Sequence, residues 1–320
     1  MTQLITCIGE ILIDFLPIEE DGRTVGFRMH PGGSPMNVAV GIARLEQPVA
    51  FASKISGDMF GRFLRNFLDQ QGVDTRFLLN STAQSTLAFV TMTGGEPDYS
   101  FYTTATADTL LAVEELPEEL FSETRIFHFG SISLLRGTTP TAILAAAERL
   151  KGHALLSFDP NLRPGLVEDE RSYRALLERA LRLADVVKIS AADLGWLVPD
   201  QPVEQAAADL LSHGAALVVL TRGGEGVLAL RREGGALRSF SLPAFNVDVV
   251  DTVGAGDSFS GGLLASLAER GVLSRDALEA LPQEELAASL RYATAVSALT
   301  CARAGADPPN RATVAQFLGQ

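Results

Sequence analysis

The chain has 320 residues, of which 47% are hydrophobic and 20% are charged, as in ordinary soluble globular proteins. This length fits either one large α/β domain or two smaller ones. The formal net charge of −13 argues against a nucleic-acid or anionic-membrane partner, because such partners bind basic patches. A small anionic ligand remains compatible with it, because a few local amides and arginines suffice to bind one.

The two cysteines, Cys7 and Cys301, lie in apolar segments without metal-ligand spacing. They predict buried, reduced thiols of a cytosolic protein. The N-terminus enters a strand-like run directly, without the pattern of a signal peptide. The longest apolar stretches are too short to span a bilayer. We therefore expect a cytoplasmic protein.

The first part of the chain predicts a buried strand over residues 4–9 and extended chain over residues 10–15, which carries Asp14. A glycine turn then enters a helix with an apolar face of Val38, Ile42 and Leu45. The turn, Pro31-Gly32-Gly33-Ser34-Pro35, permits close approach of a ligand, and Asn37 lies on the first helical turn. Taken alone, this pattern is as typical of an ordinary loop-to-helix entry as it is of a ligand-binding turn.

The next segments predict a strand over residues 49–55, a helix over 61–71 and a β-hairpin. The hairpin joins residues 87–92 to 99–103 through a Gly94-Gly95 turn. Paired with the extended segments 10–14 and 27–30, it predicts a small sheet beside the main one. We expect a lid formed by residues 11–30 and 86–106, and a core formed by 1–10, 31–85 and 107–320.

An alternation of strands and helices then resumes, which predicts a parallel sheet covered on both faces. The strands are expected at residues 126–129, 154–158, 186–189 and 216–220, with helices near 139–150, 171–183 and 203–213. Ligands bind beyond the carboxyl ends of such strands. The polar residues expected there are Asp159, Asn161, Arg163, Lys188, Ser190 and the run 221–226.

The most informative stretch is Asp251-Thr252-Val253-Gly254-Ala255-Gly256-Asp257. The apolar residues at 247–250 predict a strand before it, and the helical spacing of apolar residues at 259–267 predicts a helix after it. Amides at a helix N-terminus stabilise an anion. Asp257 is therefore either a helix cap or a functional carboxylate. The second acid six residues earlier and two helix-interior glycines favour function.

Several enzyme signatures are absent from the sequence. There is no Gly-x-x-x-x-Gly-Lys-Ser/Thr loop, no Gly-x-Ser-x-Gly elbow and no third glycine for a dinucleotide fingerprint, because Phe259 stands there. What remains is an anion-binding turn beside a carboxylate. These parts are typical of phosphoryl transfer, with Asp257 as the base and the amides of Gly254, Ala255 and Gly256 as the anion hole.

Residues 31–39 and 251–259 resemble the two signatures of the ribokinase-like (PfkB) sugar kinases. Residues 10–14, 127–132 and 159–164 resemble the fructokinase branch of that family. The similarity covers nearly the whole chain. It implies a three-layer α/β/α fold with a mostly parallel sheet and a small β-sheet lid. It also implies ATP-dependent phosphorylation of a sugar hydroxyl, and dimerisation through the lids.

The resemblance further implies roles for individual residues, beginning with Asp257 as the base. The residues expected to hold the sugar are Asp14, Gly32, Gly33, Asn37, Phe101 and Arg163. Those expected at the nucleotide are Lys188, Ser190, Thr221, Gly223, Gly226 and Thr294. The expected K⁺ loop joins Asp251 to carbonyl groups around Val253, Thr300, Arg303 and Gly305.

Two positions depart from the family pattern. Ser190-Ala191-Ala192-Asp193 stands where Asn-x-x-Glu is common, so the expected support of Mg²⁺ through water falls to the shorter Asp193. Thr294 stands where related enzymes often carry Asn or His beside the adenine. Three alternatives in the same family stay open, namely 2-keto-3-deoxygluconate kinase, ribokinase and nucleoside kinase. An alternative of another class is a sugar-binding regulator without catalysis.

Overall fold

The computed structural model describes residues 3–93 and 96–319. Its strands are β1 Leu4–Ile8, β2 Leu12–Glu20, β3 Arg23–Gly32, β4 Val49–Ser56, β5 Leu78–Ser81, β6 Thr86–Thr93, β7 Glu96–Tyr102, β8 Thr124–Gly130, β9 Leu155–Asp159, β10 Val186–Ser190, β11 Leu217–Thr221, β12 Val227–Glu233 and β13 Ala236–Leu242. Its α-helices are α1 Ser34–Arg44, α2 Met59–Gln70, α3 Glu118–Glu123, α4 Thr139–Leu150, α5 Glu170–Leu183, α6 Ala191–Leu197, α7 Val203–Leu210, α8 Ala255–Glu269, α9 Arg275–Ala280, α10 Gln283–Cys301 and α11 Arg311–Leu318.

Within the described residues, the main sheet has the strand order β13-β12-β11-β10-β9-β8-β1-β4-β5. Neighbours from β11 to β5 are parallel, whereas β12 and β13 form an antiparallel edge. The strands are apolar on both faces, as buried parallel strands must be. In β8, Phe127 and Phe129 join the core on one face and Ile126 joins the core on the other.

Helices cover both faces of this sheet. One apolar core combines the sheet with α4, α5 and α7, and the other combines it with α1, α2, α8 and α10. The predicted three-layer α/β/α fold is therefore confirmed. The helices predicted near residues 139–150 and 171–183 are present as α4 and α5.

The second sheet has four strands within the described residues, in the order β3-β2-β6-β7. The predicted small sheet is thus confirmed, while the predicted Gly94-Gly95 turn lies outside the described residues. One row of residues runs across it, because Asp14 pairs with His30 and Ala88, and Ala88 pairs with Phe101. Since successive residues point to opposite faces of a strand, this row shares one face of the sheet.

The strand predicted immediately before Asp251 is wrong. Residues 243–249 have no strand, although β13, which precedes them, is the mostly exposed edge strand of the sheet. Val249 and Val250 are each 63% exposed, and the N–H groups of Val250 and Asp251 both donate to the Cys301 carbonyl oxygen. The C-terminal end of α10, rather than a sheet neighbour, therefore fixes this segment. The sequence reading also missed the β12–β13 hairpin.

Two glycines inside α8, Gly261 and Gly262, are needed for packing, so their presence does not by itself indicate function. A Cβ atom added at Gly262 would lie 3.0 Å from the Ala293 Cα atom of α10. One added at Gly261 would lie 3.2 Å from the Val38 carbonyl oxygen of α1. The absence of side chains lets α8 pack closely between α1 and α10, which places the N-termini of α1 and α8 side by side.

Cys7 is buried and Cys301 is half-buried, and both thiols are free. No helix among the described residues combines the length and the apolarity that crossing a bilayer requires.

Candidate active site

The turn before α8 carries the donors expected for an anion. Gly254 has a φ of 74°, and a Cβ atom added there would lie 2.6 Å from the Ala306 Cβ atom. The Ala255 N–H donates to the Thr252 carbonyl oxygen at 3.2 Å, which closes the turn. Gly256 and Asp257 belong to the first helical turn, where amides have no intrahelical acceptor. The turn therefore presents an anion-binding N-terminus, with the Ala255 amide partly engaged.

Asp257 is buried and held by the neighbouring helix. Its Oδ1 accepts a hydrogen bond from Ser34 Oγ at 2.6 Å, and its Oδ2 accepts one from Asn37 Nδ2 at 2.9 Å. Both donors lie in the first turn of α1. The N-cap of α8 is Gly254, so the interpretation of Asp257 as a helix cap is wrong. The carboxylate is oriented by α1 rather than by its own helix.

Opposing effects act on the pKa of Asp257. Burial raises the pKa of Asp257, while the hydrogen bonds from Ser34 and Asn37 and the ammonium of Lys188 lower it. Lys188 Nζ forms a buried ion pair with Asp159 Oδ2 at 2.7 Å. A Cβ atom added at Gly256 would lie 2.8 Å from that Nζ. A positive charge therefore lies directly beside the anion-binding turn.

A cavity of about 260 Å³ opens in front of Asp257. Five of the six residues predicted to hold a sugar line it, namely Asp14, Gly33, Asn37, Phe101 and Arg163. The sixth, Gly32, lies behind Asp14, where an added Cβ atom would overlap the carboxylate. These residues come from the small sheet, from the start of α1 and from the loop after β9, so the small sheet forms one wall of the cavity.

Asp14 and Arg163 are two of the charged residues that line this cavity. Burial raises the pKa of Asp14 to about 6, an effect that Arg163 opposes and Asp257 reinforces. The Arg163 guanidinium is exposed and donates to Asn161 Oδ1 at 2.8 Å. Its charge therefore acts on the cavity while its hydrogen bonds stay local.

A second cavity, of about 280 Å³, lies on the other side of the same turn. Thr221, Gly223, Gly226 and Thr294, all predicted at the nucleotide, line it together with Ala255. Most of its other walls are apolar, formed by Val227, Phe245, Val247, Val249, Phe259 and Ala298. The two cavities share Thr252 and Gly256, so they meet at the anion-binding turn.

Ser190 and Asp193 have structural partners of their own. Ser190 Oγ accepts from the Asp193 N–H at 3.0 Å and caps α6, and Asp193 Oδ1 accepts from the Leu162 N–H at 3.1 Å. Burial raises the pKa of Asp193, the Ser190 hydrogen bond lowers it, and the charge of Asp159 raises it. Asp159 Oδ1 is buried and has no hydrogen-bond partner among the described residues.

The predicted cation loop joins two segments through Asp251. Its Oδ1 accepts from the Val253 N–H at 3.0 Å, and its Oδ2 accepts from the Gly305 N–H at 2.8 Å. The Thr300 carbonyl oxygen accepts from the Arg303 N–H at 3.0 Å. Asp251 thus ties the turn before α8 to the loop after α10.

Glu10 is a site residue that was not predicted from the sequence. This glutamate follows β1, is only 3% exposed and lines the first cavity. Its Oε1 accepts from the Ser34 N–H at 3.0 Å, and its Oε2 accepts from the N–H and hydroxyl of Ser133. The sequence did offer one signal, a glutamate directly after a strand predicted to be buried. A glutamate is almost never fully buried unless it is paired, so this position indicated a carboxylate with specific partners.

The chain resembles known proteins in both sequence and structure. Residues 2–313 match the model of the pfkB family of carbohydrate kinases. Fructokinase of Rhizobium leguminosarum bv. trifolii is 36% identical over 283 residues, which cover 88% of this chain and 85% of that protein. The crystal structure of fructokinase with bound ATP from Xylella fastidiosa has a TM-score of 0.89 and 31% identity, over 100% of both chains.

A second similar structure is fructokinase from Vibrio cholerae O395 in its fructose, ADP and calcium ion bound form. Its TM-score is 0.85 at 28% identity, over 99% of each chain. The family match covers nearly the whole chain, and the site has a buried carboxylate beside an anion-binding turn. The chain belongs to the pfkB family of carbohydrate kinases and is a sugar phosphotransferase.

Proposed function

We propose that the protein transfers the γ-phosphoryl group of ATP to a hydroxyl group of fructose, with Asp257 as the base. The observation that carries this proposal is the meeting of two cavities at Thr252 and Gly256, directly beside the Asp257 carboxylate. One cavity is lined by polar side chains and the other largely by apolar ones. A sugar in the first and a nucleotide in the second would meet at the anion-binding turn.

In this mechanism the sugar hydroxyl oxygen attacks the γ-phosphorus, and the bond to the β,γ-bridging oxygen of ATP breaks. The hydroxyl proton passes to the Asp257 carboxylate, which Ser34 and Asn37 hold in place. The amides of Gly254, Ala255 and Gly256 stabilise charge on the transferred group, as donors at a helix N-terminus do. ADP leaves, and Asp257 releases its proton to solvent.

The sugar would be held by Asp14, Gly33, Asn37, Phe101 and Arg163, which line the first cavity. Gly32 would contribute by leaving room for the Asp14 carboxylate. We assign the role of a lid to residues 11–30 and 86–106, because the sheet they contain supplies Asp14 and Phe101 to that cavity. A lid excludes water, which would otherwise compete with the sugar for the phosphoryl group.

The nucleotide would lie against Thr221, Gly223, Gly226 and Thr294 in the second cavity. Lys188 would act as a nearby positive charge, because its Nζ approaches Gly256 at the start of α8. Ser190 would contribute by capping α6 and so placing Asp193. This assignment is supported by the ATP bound in the similar Xylella fastidiosa fructokinase.

The residues present fit Mg²⁺ held jointly with the phosphates. The described residues contain no cluster of three or more His, Cys, Asp or Glu side chains that would cage a metal alone. Mg²⁺ in kinases is held by one or two carboxylates plus substrate phosphates. The buried, unpartnered Asp159 Oδ1 and the nearby Asp193 carboxylate supply such groups. Bound Mg²⁺ would neutralise charge on the β- and γ-phosphates.

The residues of the cation loop fit K⁺, because they offer oxygen ligands with one formal negative charge. Asp251 and the carbonyl groups of Val253, Thr300, Arg303 and Gly305 would hold it. The ion would add positive charge close to the start of α8. The structure of a fructokinase double mutant from Vibrio cholerae O395, which is similar to this chain, contains fructose, ADP and a potassium ion.

The outer face of the small sheet supports a homodimer as part of the proposal. Phe15 stacks on Phe89 with ring centroids 4.6 Å apart, and Phe27 and Tyr102 extend this aromatic face. Tyr102 is 63% exposed and Phe27 is 39% exposed. A second copy of the chain would cover this face. Sedimentation of a Tyr102→Glu variant tests this, because the added charge should shift the protein from dimer to monomer.

The two free thiols favour a cytoplasmic location, which cell fractionation would test.

A sugar panel with Mg²⁺-ATP, K⁺ and coupled ADP detection tests the function. Fructose is expected to have the highest kcat/KM. A tenfold or greater preference for ribose, 2-keto-3-deoxygluconate or a nucleoside would move the assignment to another kinase of the family. Sugar binding without any ADP formation would instead identify a regulator.

A further inference from the structure

Glu10 joins two segments of the first cavity through a single buried carboxylate. Its Oε1 accepts from the Ser34 N–H at 3.0 Å, and its Oε2 accepts from the Ser133 N–H at 3.1 Å. The Ser133 hydroxyl also donates to Oε2 and accepts from the Glu10 N–H at 2.9 Å. The loop after β1 is thereby fixed to the start of α1 and to the 3-10 helix after β8.

The connection continues to Asp257. Ser34, whose N–H is bound by Glu10, uses its hydroxyl to donate to Asp257 Oδ1 at 2.6 Å. The chain before Ser34 is also confined, because a Cβ atom added at Gly33 would lie 2.5 Å from the Glu10 carbonyl oxygen. A change in the Glu10 carboxylate therefore reaches Asp257 through Ser34.

We propose that Glu10 is a positioning residue, which holds Ser34 so that the Ser34 hydroxyl orients the Asp257 carboxylate during phosphoryl transfer. This inference rests on the proposed function, because it needs Asp257 as the base. Glu10 touches neither the transferred group nor Asp257 directly.

The donors around Glu10 require two acceptor atoms. Each carboxylate oxygen faces a backbone N–H, so a glutamine would place its NH₂ group against one of these donors. Burial raises the pKa of Glu10 to about 7, and the hydrogen bonds from Ser133 and Ser34 oppose that rise. Because these donors favour the ionised form, Glu10→Gln disturbs the contact while preserving the size of the side chain.

The test is a double-mutant cycle read from the pH dependence of kcat at saturating ATP and sugar. We expect Glu10→Gln to move the acid limb of the profile up by about one pH unit, because Asp257 loses a well-placed hydrogen bond. A limb set instead by protonation of Glu10 itself, whose pKa burial raises to about 7, would move down in this variant. In a Ser34→Ala background the same change is expected to move the limb little, because the connecting hydroxyl is gone. No shift, a downward shift or an equal shift in both backgrounds overturns the proposal.

Asp185→Asn is the matched control. Asp185 is 3% exposed and its Oδ2 accepts from the Leu156 N–H at 3.0 Å, with no hydrogen bond to α1 or to the loop after β1 in the described structure. Its neutralisation removes a similarly buried carboxylate, so the acid limb is expected to stay in place. A shift as large as that of Glu10→Gln would mean that any lost buried charge suffices, which overturns the specific role.

Circular dichroism checks the folding of each variant. If Glu10→Gln does not fold, Ser133→Ala replaces it, because it keeps the carboxylate and removes one of its donors. It is expected to shift the limb upward only when Ser34 is present; no shift would overturn the proposal. A wild-type protein without kinase activity refutes the proposed function and this inference together. An active enzyme with an additive cycle refutes this inference alone.

Discussion

Replacing Ser34 by alanine removes one of the two hydrogen bonds that the Asp257 carboxylate accepts from α1. A hydrogen bond to a charged group contributes about 1.5–3 kcal/mol. Since one pKa unit corresponds to about 1.4 kcal/mol, the pKa of Asp257 should rise by about one to two units. The direction follows from burial, which already raises this pKa while Ser34 lowers it.

The assay is kcat as a function of pH, measured by coupled ADP detection at saturating ATP and sugar. A base acts only when deprotonated, so the acid limb of the profile should move up by the same one to two units. The plateau above the limb should change less, because Asn37 still holds Oδ2. Ser34→Thr, which keeps the hydroxyl, is the matched control. An acid limb that stays in place in the alanine variant would refute the assignment of Asp257 as a base tuned by Ser34.

Three further predictions follow from the site and its surroundings. Gly256→Ala should lower kcat several-fold, measured in the same assay on a folded variant, because the new methyl group would lie 2.8 Å from Lys188 Nζ and would push this charge away from the turn. An unchanged kcat would show that the position of the Lys188 charge does not matter for turnover. Asp108 has a pKa raised by burial from 3.8 to about 6, so its folded state binds more protons than the unfolded state between those values. Its contribution to the free energy of unfolding should therefore fall by about 3 kcal/mol as pH rises from about 4 to about 6. Asp108→Asn should flatten urea-derived stability over that window by this amount, and an unaltered pH dependence would contradict the shift. Asp251→Ala should abolish the difference between activity in KCl and in NaCl, because the carboxylate that ties Val253 to Gly305 is lost; retained K⁺ activation would place the ion elsewhere.

The fold was predictable from sequence wherever the apolar pattern matched a buried parallel strand or an amphipathic helix. The segment before Asp251 shows why this reasoning fails at an edge. Val247, Val249 and Val250 are β-branched, but their segment does not pair with the edge strand β13, and the last residue of α10 accepts the N–H groups of Val250 and Asp251 instead. Strand propensity describes a fit to a pleated surface, and it cannot tell which hydrogen-bond acceptor the packed fold places beside a segment.

In the candidate site, too, local sequence patterns could be recognised and contacts between distant residues could not. Glycine turns and the acid behind them are local patterns, so Gly254, Gly256 and Asp257 could be singled out from the sequence. The partners of Asp257 could not, because Ser34 and Asn37 lie 223 and 220 residues away along the chain. Glu10 was missed for the same reason, since its role depends on contacts with Ser34 and Ser133 that only the packed fold creates.

The central claim is that Asp257 removes the proton of a sugar hydroxyl during phosphoryl transfer from ATP. The most direct measurement compares kcat of Asp257→Asn with that of the wild type, alongside the sugar affinity of both by calorimetry. We expect kcat to fall by at least a hundredfold, as on loss of a general base, while the sugar dissociation constant changes only a few-fold. A variant that binds sugar and keeps wild-type turnover would contradict the claim.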